Sequence, residues 1–171
     1  MDESEKISTS SSVCDMIRLT SAEDKSTILN ILKETSIFKQ EEIRIADELI
    51  DTFLSSPENP DYQFYSWVDS SDSVSGFLCF GTTHIAKGTY DLYWLVVSPR
   101  SQGKGVGRDM LLFVEDKVRQ ERGRLIIVET SSTDDYNTAR RFYRKNGFDQ
   151  VGNIKDYYVP GDDLVIYAKY L

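Results

Sequence analysis

The chain has 171 residues, of which 40% are hydrophobic, 12% aromatic and 28% charged; this suits one domain with its own core and excludes a wholly disordered chain. Lys+Arg 20 against Asp+Glu 28 gives a net charge of −8, which argues against a nucleic-acid binder with a broad basic face. No run approaches the roughly 20 apolar residues of a membrane span, and MDESEKISTSSSVCD resembles neither a secretory signal nor a basic transit peptide, so the expectation is a cytoplasmic protein without membrane or nucleic-acid partners.

Residues 1–14 are Ser-rich and polar and read as a disordered tail ahead of one domain over 15–171. Met16–Leu19 reads as a short strand. Residues 22–35 and 40–55 carry apolar residues at helical spacing, and SSPENPD at 55–61 stops the second helix. Strands are expected over Tyr62–Val68, Val74–Thr83 and Thr89–Val97, with turns between them. Gly105–Gln120 repeats Val106, Met110, Val114 and Val118 on one helical face. Leu125–Thr130 is an apolar, buried type of strand, Tyr136–Asn146 a helix closed by Gly147, and Phe148–Tyr158 and Leu164–Tyr170 two final strands. The order β-α-α-β-β-β-α-β-α-β-β predicts a mixed α/β layer structure with one central sheet.

The only cysteines are Cys14 and Cys79, which make neither a disulfide framework nor a zinc cluster, and Cys79 reads as core. His84 is the single histidine, and no metal is expected. All the net charge lies in residues 1–62; beyond them RSQGKGVGR (100–108) and RRFYRK (140–145) are basic islands, and Asp149, Asp156, Asp162 and Asp163 face Lys155 alone. Such a pattern fits a site with an anion on one side and a cation on the other.

Gly103, Gly105 and Gly107 stand where a strand turns into a helix. Their bare backbone amides and the helix N-terminus suit a phosphate or pyrophosphate, with Arg100, Lys104 and Arg108 adding charge. The loop is neither GxxxxGK[ST] nor GxGxxG. By itself it leaves an ordinary turn and an anion site equally open.

The second motif resolves this. Gln102-x-x-Gly105-x-Gly107, followed by Asn137, Ala139, Tyr143, Lys145, Gly147 and Phe148, resembles the paired motifs of the GCN5-related N-acetyltransferases. The element order from about residue 16 to 171 resembles that family too. The resemblance implies a central, mostly antiparallel twisted sheet of about seven strands flanked by helices. It implies an enzyme that moves an acetyl group from acetyl-CoA to an amine, and a tendency to pair as a homodimer.

It further implies that backbone amides of Gly103, Lys104, Gly105, Val106, Gly107 and Arg108 hold the coenzyme pyrophosphate beside Gln102. Leu95, Val96 and Val97 would pair with the pantetheine arm where this strand and the next splay apart. Asn137 would touch the coenzyme, and Tyr143 would lie near its sulfur, where a phenol can protonate a leaving thiolate. Glu129–Asn137 (ETSSTDDYN) is longer than the family's usual connection.

Amine attack needs a general base. Asp91 stands where the histone-acetylating branch of the family carries its catalytic Glu, and period-two alternation puts Asp91, Tyr93, Leu95 and Val97 on one face. Glu129 is the second candidate and His84 the third. The expected acceptor is a primary amine, either a small cationic metabolite or a peptide or protein amine. Tyr93, Trp94, Asp156, Tyr157 and Asp162, with Tyr158 and Asp163, would receive it, because acids and aromatic faces favour ammonium groups. The alternative reading is a sensor module that binds an acyl-CoA and transfers nothing.

Overall fold

A computed structural model describes residues 16–59 and 61–171. The tail expected over 1–14 and Cys14 lie outside them. The chain runs β1 (Ile17–Leu19), α1 (Lys25–Thr35), α2 (Gln40–Ser55), β2 (Gln63–Val68), β3 (Val74–Thr82), β4 (Thr89–Val97), α3 (Val106–Gln120), β5 (Leu125–Ser131), α4 (Asn137–Lys145), β6 (Asp149–Val159) and β7 (Asp162–Tyr170). The first turn expected of the helix at 22–35 is a separate 3-10 turn, Ala22–Asp24. Among the described residues no helix is long and apolar enough to cross a membrane.

The seven strands form one sheet in the order β1-β2-β3-β4-β5-β7-β6. Every neighbouring pair is antiparallel except β4 and β5. Those two pair only through Thr89–Asp91 and Leu125–Ile127 and then part. Parallel neighbours need a long crossover, and α3 supplies it.

Each face of the sheet has its own core. α1 and α2 bury Ile28, Leu32, Ala46, Ile50 and Phe53 against Phe64, Phe77, Cys79 and Val96. α3 and α4 bury Met110, Val114, Val118 and Tyr143 against Leu78, Phe80, Leu92, Ile126 and Tyr167. Strand residues therefore alternate between two apolar layers, which is why β3 and β5 read as nearly unbroken hydrophobic runs.

A β-bulge changes one expectation. Phe80 faces Leu92, but Cys79 faces Trp94, so Tyr93 is an extra residue in β4. Side-chain alternation slips by one there. Asp91 consequently shares the α1/α2 face with Trp94 and Val96, while Leu95 and Val97 turn to the α3/α4 face. The single face expected for Asp91, Tyr93, Leu95 and Val97 does not exist.

Polar groups fasten the periphery. Asp24, only 5% exposed, accepts a fork from Arg18 at 2.6 and 3.0 Å, the Ser21 amide at 2.8 Å and the Ser66 hydroxyl at 3.2 Å. Burial alone would raise its pKa, but the Arg18 guanidinium and the Ser21 amide outweigh it and hold it below the usual 3.8. Glu115 of α3, equally enclosed, meets Lys169 of β7 at 2.6 Å and Arg119 at 3.3 Å. Lys169 also donates to the Asn146 carbonyl at the end of α4 (2.9 Å).

Since the folded Asp24 value lies below the unfolded one, its contribution to stability is complete above the unfolded value and is lost as pH falls through the folded one. Denaturant titrations of Asp24→Asn are expected to show a less stable protein at neutral pH and a flatter loss of stability than wild type as the pH falls below 3.8.

Candidate active site

The loop after β4 is shaped by two glycines. Pro99–Ser101 makes a 3-10 turn, and Gly103 and Gly105 hold φ of 74° and 90°, a region costly to residues with a Cβ. The space where each Cβ would stand is open. Gln102 Nε2 donates to the Val97 carbonyl at 3.0 Å, tying the loop to the end of β4. Helical bonding begins when the Asp109 amide reaches the Gly105 carbonyl at 3.0 Å; among the described residues, the amides of Gly103 to Arg108 meet no protein acceptor. A run of free N–H groups at the start of a 15-residue helix attracts an anion. The Val106 side chain is core, so this residue offers its amide only.

The loop opens into a cleft of about 880 Å3. Leu95, Val96 and Val97 form one wall with Gly103, Gly105, Gly107 and Arg108. Thr138, Ala139, Phe142, Tyr143, Lys145 and Asn146 of the α4 region form the second, and Thr35, Ile37 and Phe38 close it from between α1 and α2. The cations that border it are Arg108 and Lys145, while Arg100 and Lys104 stay exposed. Asn137, the first residue of α4, is exposed, and its neighbour Thr138 lines the cleft.

Tyr143 belongs to both core and cleft. It is 7% exposed and packs on Phe142, Phe148 and Tyr167 at centroid distances of 5.4, 5.5 and 6.2 Å. Burial pushes its phenol well above the usual 10.0. The group therefore stays protonated across neutral and mildly alkaline pH.

On the other face, Asp91 and Glu129 flank the point where β4 and β5 separate. Asp91 is the last paired residue of β4, opposite Ile127, and Glu129 lies two residues further along β5 on the same face. Asp91 accepts the Thr83 hydroxyl at 2.7 Å; Glu129 is exposed. His84 is exposed, 3.4 Å from Asp61.

Aromatic rings line this face. Tyr93 packs on Tyr62 at 5.2 Å, and Trp94 on Phe38 at 5.3 Å. Burial, then Asp91 and its neighbours, push Tyr93 up to about 12. Burial, then Glu129, do the same for Tyr158, also to about 12. Tyr157 stacks edge-on against Tyr158 at 5.0 Å.

The remaining acids serve the hairpin. Asp162 is buried and accepts the Ser131 hydroxyl at 2.5 Å; Asp163 takes Asn153 and the Asp156 amide. Asp156 accepts the Gly161 amide at 2.7 Å and caps the β6–β7 turn. Sequence reasoning missed Tyr136, Glu42, Tyr62 and Phe38. Tyr136 donates to Glu42 at 3.1 Å from 94 residues away, a separation that no local pattern signals.

A cleft with unpaired amides of a helix N-terminus on one side and the unpaired end of a central strand on the other suits a carrier-bound acyl group, which marks an acyltransferase. The chain belongs to the GCN5-related N-acetyltransferase (GNAT) family: the acetyltransferase (GNAT) domain matches residues 60–150. It is 35% identical to a protein of Desulfovibrio desulfuricans described as a GNAT-family acetyltransferase, over 90% of this chain and 97% of that one, with a TM-score of 0.84. The fold is also shared with the PaiA N-acetyltransferase of Thermoplasma acidophilum in complex with coenzyme A (23% identity, 91% and 98% coverage, TM-score 0.69). An aminoglycoside 6'-N-acetyltransferase complexed with coenzyme A is similar at 18% identity, 90% and 96% coverage and TM-score 0.69. No curated protein matches the sequence.

The glycines predict different tolerances. A Cβ on Gly107 would sit 3.5 Å from Phe142 and 3.6 Å from Val97, ordinary contact distances. Gly105→Ala must occupy the left-handed region, at about 1–2 kcal/mol. Calorimetry with coenzyme A is expected to show about a tenfold loss of affinity for Gly105→Ala and little change for Gly107→Ala.

Proposed function

We propose that the protein transfers the acetyl group of acetyl-CoA to a primary amine, of a small cationic metabolite or a peptide or protein, by direct attack in a ternary complex. The observation that carries this reading is the cleft that joins the free amides of Gly103 to Arg108 to Leu95–Val97, the stretch of β4 beyond its pairing with β5, and to Tyr143. Those amides, with Arg108 and Lys145, would hold the pyrophosphate. The open edge of β4 from Leu95 to Val97 would pair with the pantetheine amides. When bound, the thioester supplies an activated acetyl carbon.

Residues of this chain supply the proton transfers. The amine nitrogen forms its bond to the acetyl carbon as the carbon–sulfur bond breaks. Asp91, or Glu129 beside it, takes the proton that the nitrogen loses, directly or through water. Tyr143, kept protonated by burial, hands its proton to the leaving sulfur. Cations on the coenzyme side and carboxylates on the other draw the two substrates to opposite faces of the sheet. Tyr93 and Trp94 would wall the acceptor, with Tyr157 and Tyr158 at its far side.

Tyr143→Phe keeps the packing and removes the proton. Assayed by thiol release, it is expected to lower kcat about a hundredfold, with acetyl-CoA affinity by calorimetry changed little. Unaltered turnover would remove Tyr143 from the chemistry. Tight acetyl-CoA binding by wild type without turnover of any amine would turn the reading to a sensor module.

A further inference from the structure

The long connection between β5 and α4 has a use of its own. Its 3-10 turn, Asp134–Tyr136, presents Tyr136, whose hydroxyl donates to Glu42 Oε1 at 3.1 Å. The other carboxylate oxygen, Oε2, accepts the Lys39 amide at 2.7 Å at the start of α2. Glu42 is thus held at both oxygens by neutral donors. Among the described residues no Lys, Arg or His forms an ion pair with it. Phe38 roots the assembly in the cleft wall: its ring is edge-on to Tyr136 at 6.5 Å and tilted on Trp94 at 5.3 Å.

A carboxylate that is fixed, half-buried and not neutralised, beside aromatic rings, favours an ammonium group. Glu42 stands on α2, whereas Asp91 and Glu129 stand on the strands at their parting. It therefore suits a different nitrogen from the one that reacts. We propose that Glu42, positioned by Tyr136 and the Lys39 amide, determines acceptor specificity by holding a second positively charged group of the acceptor. The inference rests on the amine-acceptor reading and narrows it to acceptors with two cationic groups.

The test compares α,ω-diaminoalkanes with alkylamines of matching length, in wild type, Glu42→Gln and Tyr136→Phe. Wild type is expected to favour the diamine by about tenfold in kcat/KM, the scale of one charged hydrogen bond. Gln at position 42 keeps one acceptor oxygen for the Lys39 amide, so α2 stays capped, while its NH2 turns the Tyr136 hydroxyl from donor to acceptor and the charge is removed. In Glu42→Gln the preference collapses, and it does so through the KM for the diamine rather than through kcat. Tyr136→Phe moves the same KM in the same direction by less. Turnover of both amine types by wild type without a preference, or a preference that survives Glu42→Gln, overturns the inference and leaves the acetyltransfer reading standing. Absence of turnover with every amine overturns both.

Discussion

The structure depends on the short partnership of β4 and β5. Two parallel strands that stay together expose no backbone to a ligand. Here only Thr89–Asp91 and Leu125–Ile127 pair, and beyond them the facing edges separate. Backbone amides and carbonyls left in such a gap need partners, and a ligand with amides of its own can provide them. The gap opens toward the carboxyl ends of both strands. There the chain must turn, so the glycine loop, the start of α3 and the start of α4 all converge on it. Ligand sites in parallel α/β arrangements gather at that end for the same reason.

The gap also joins two unlike environments. On the α3/α4 side stand unpaired amides, Arg108, Lys145 and a phenol that burial keeps neutral. On the α1/α2 side stand Asp91, Glu129, Glu42 and a set of aromatic rings. A sheet is thin, so these two environments stand close together across the gap. The charge asymmetry in the sequence, with basic islands around the two motifs and acids elsewhere, is the linear trace of this arrangement.

Much of the fold was legible because its elements are strongly patterned. α2 runs over Gln40–Ser55 as its apolar spacing predicts, and β4 over Thr89–Val97. The family was legible because two motifs, 32 residues apart, repeat a known spacing. The phase of β4 was not. In Tyr90–Val97 nearly every residue is apolar or aromatic, since both faces are buried, so alternation carried no information about which way Asp91 pointed; a one-residue bulge at Tyr93 then decided it. The clasp of Tyr136 on Glu42 joins segments whose proximity only the tertiary fold creates. Asp156 and Asp163 were visible as acids, but their engagement in the β6–β7 turn depends on a local backbone path with φ of 54° at Asp156.

The Lys169 ammonium has a mechanical consequence. It binds the buried Glu115 of α3 and the carbonyl of Asn146 at the close of α4, and it lies over the Phe148 ring at 5.7 Å. One charge thereby ties α3 and the end of α4 to β7. The opposite side of the cleft, Thr35 to Phe38, leaves the end of α1 through a left-handed residue, Ser36, and meets its surroundings by ring contacts. The two sides of the cleft are thus tied to the sheet by unlike forces, one by a buried charge and the other by ring contacts.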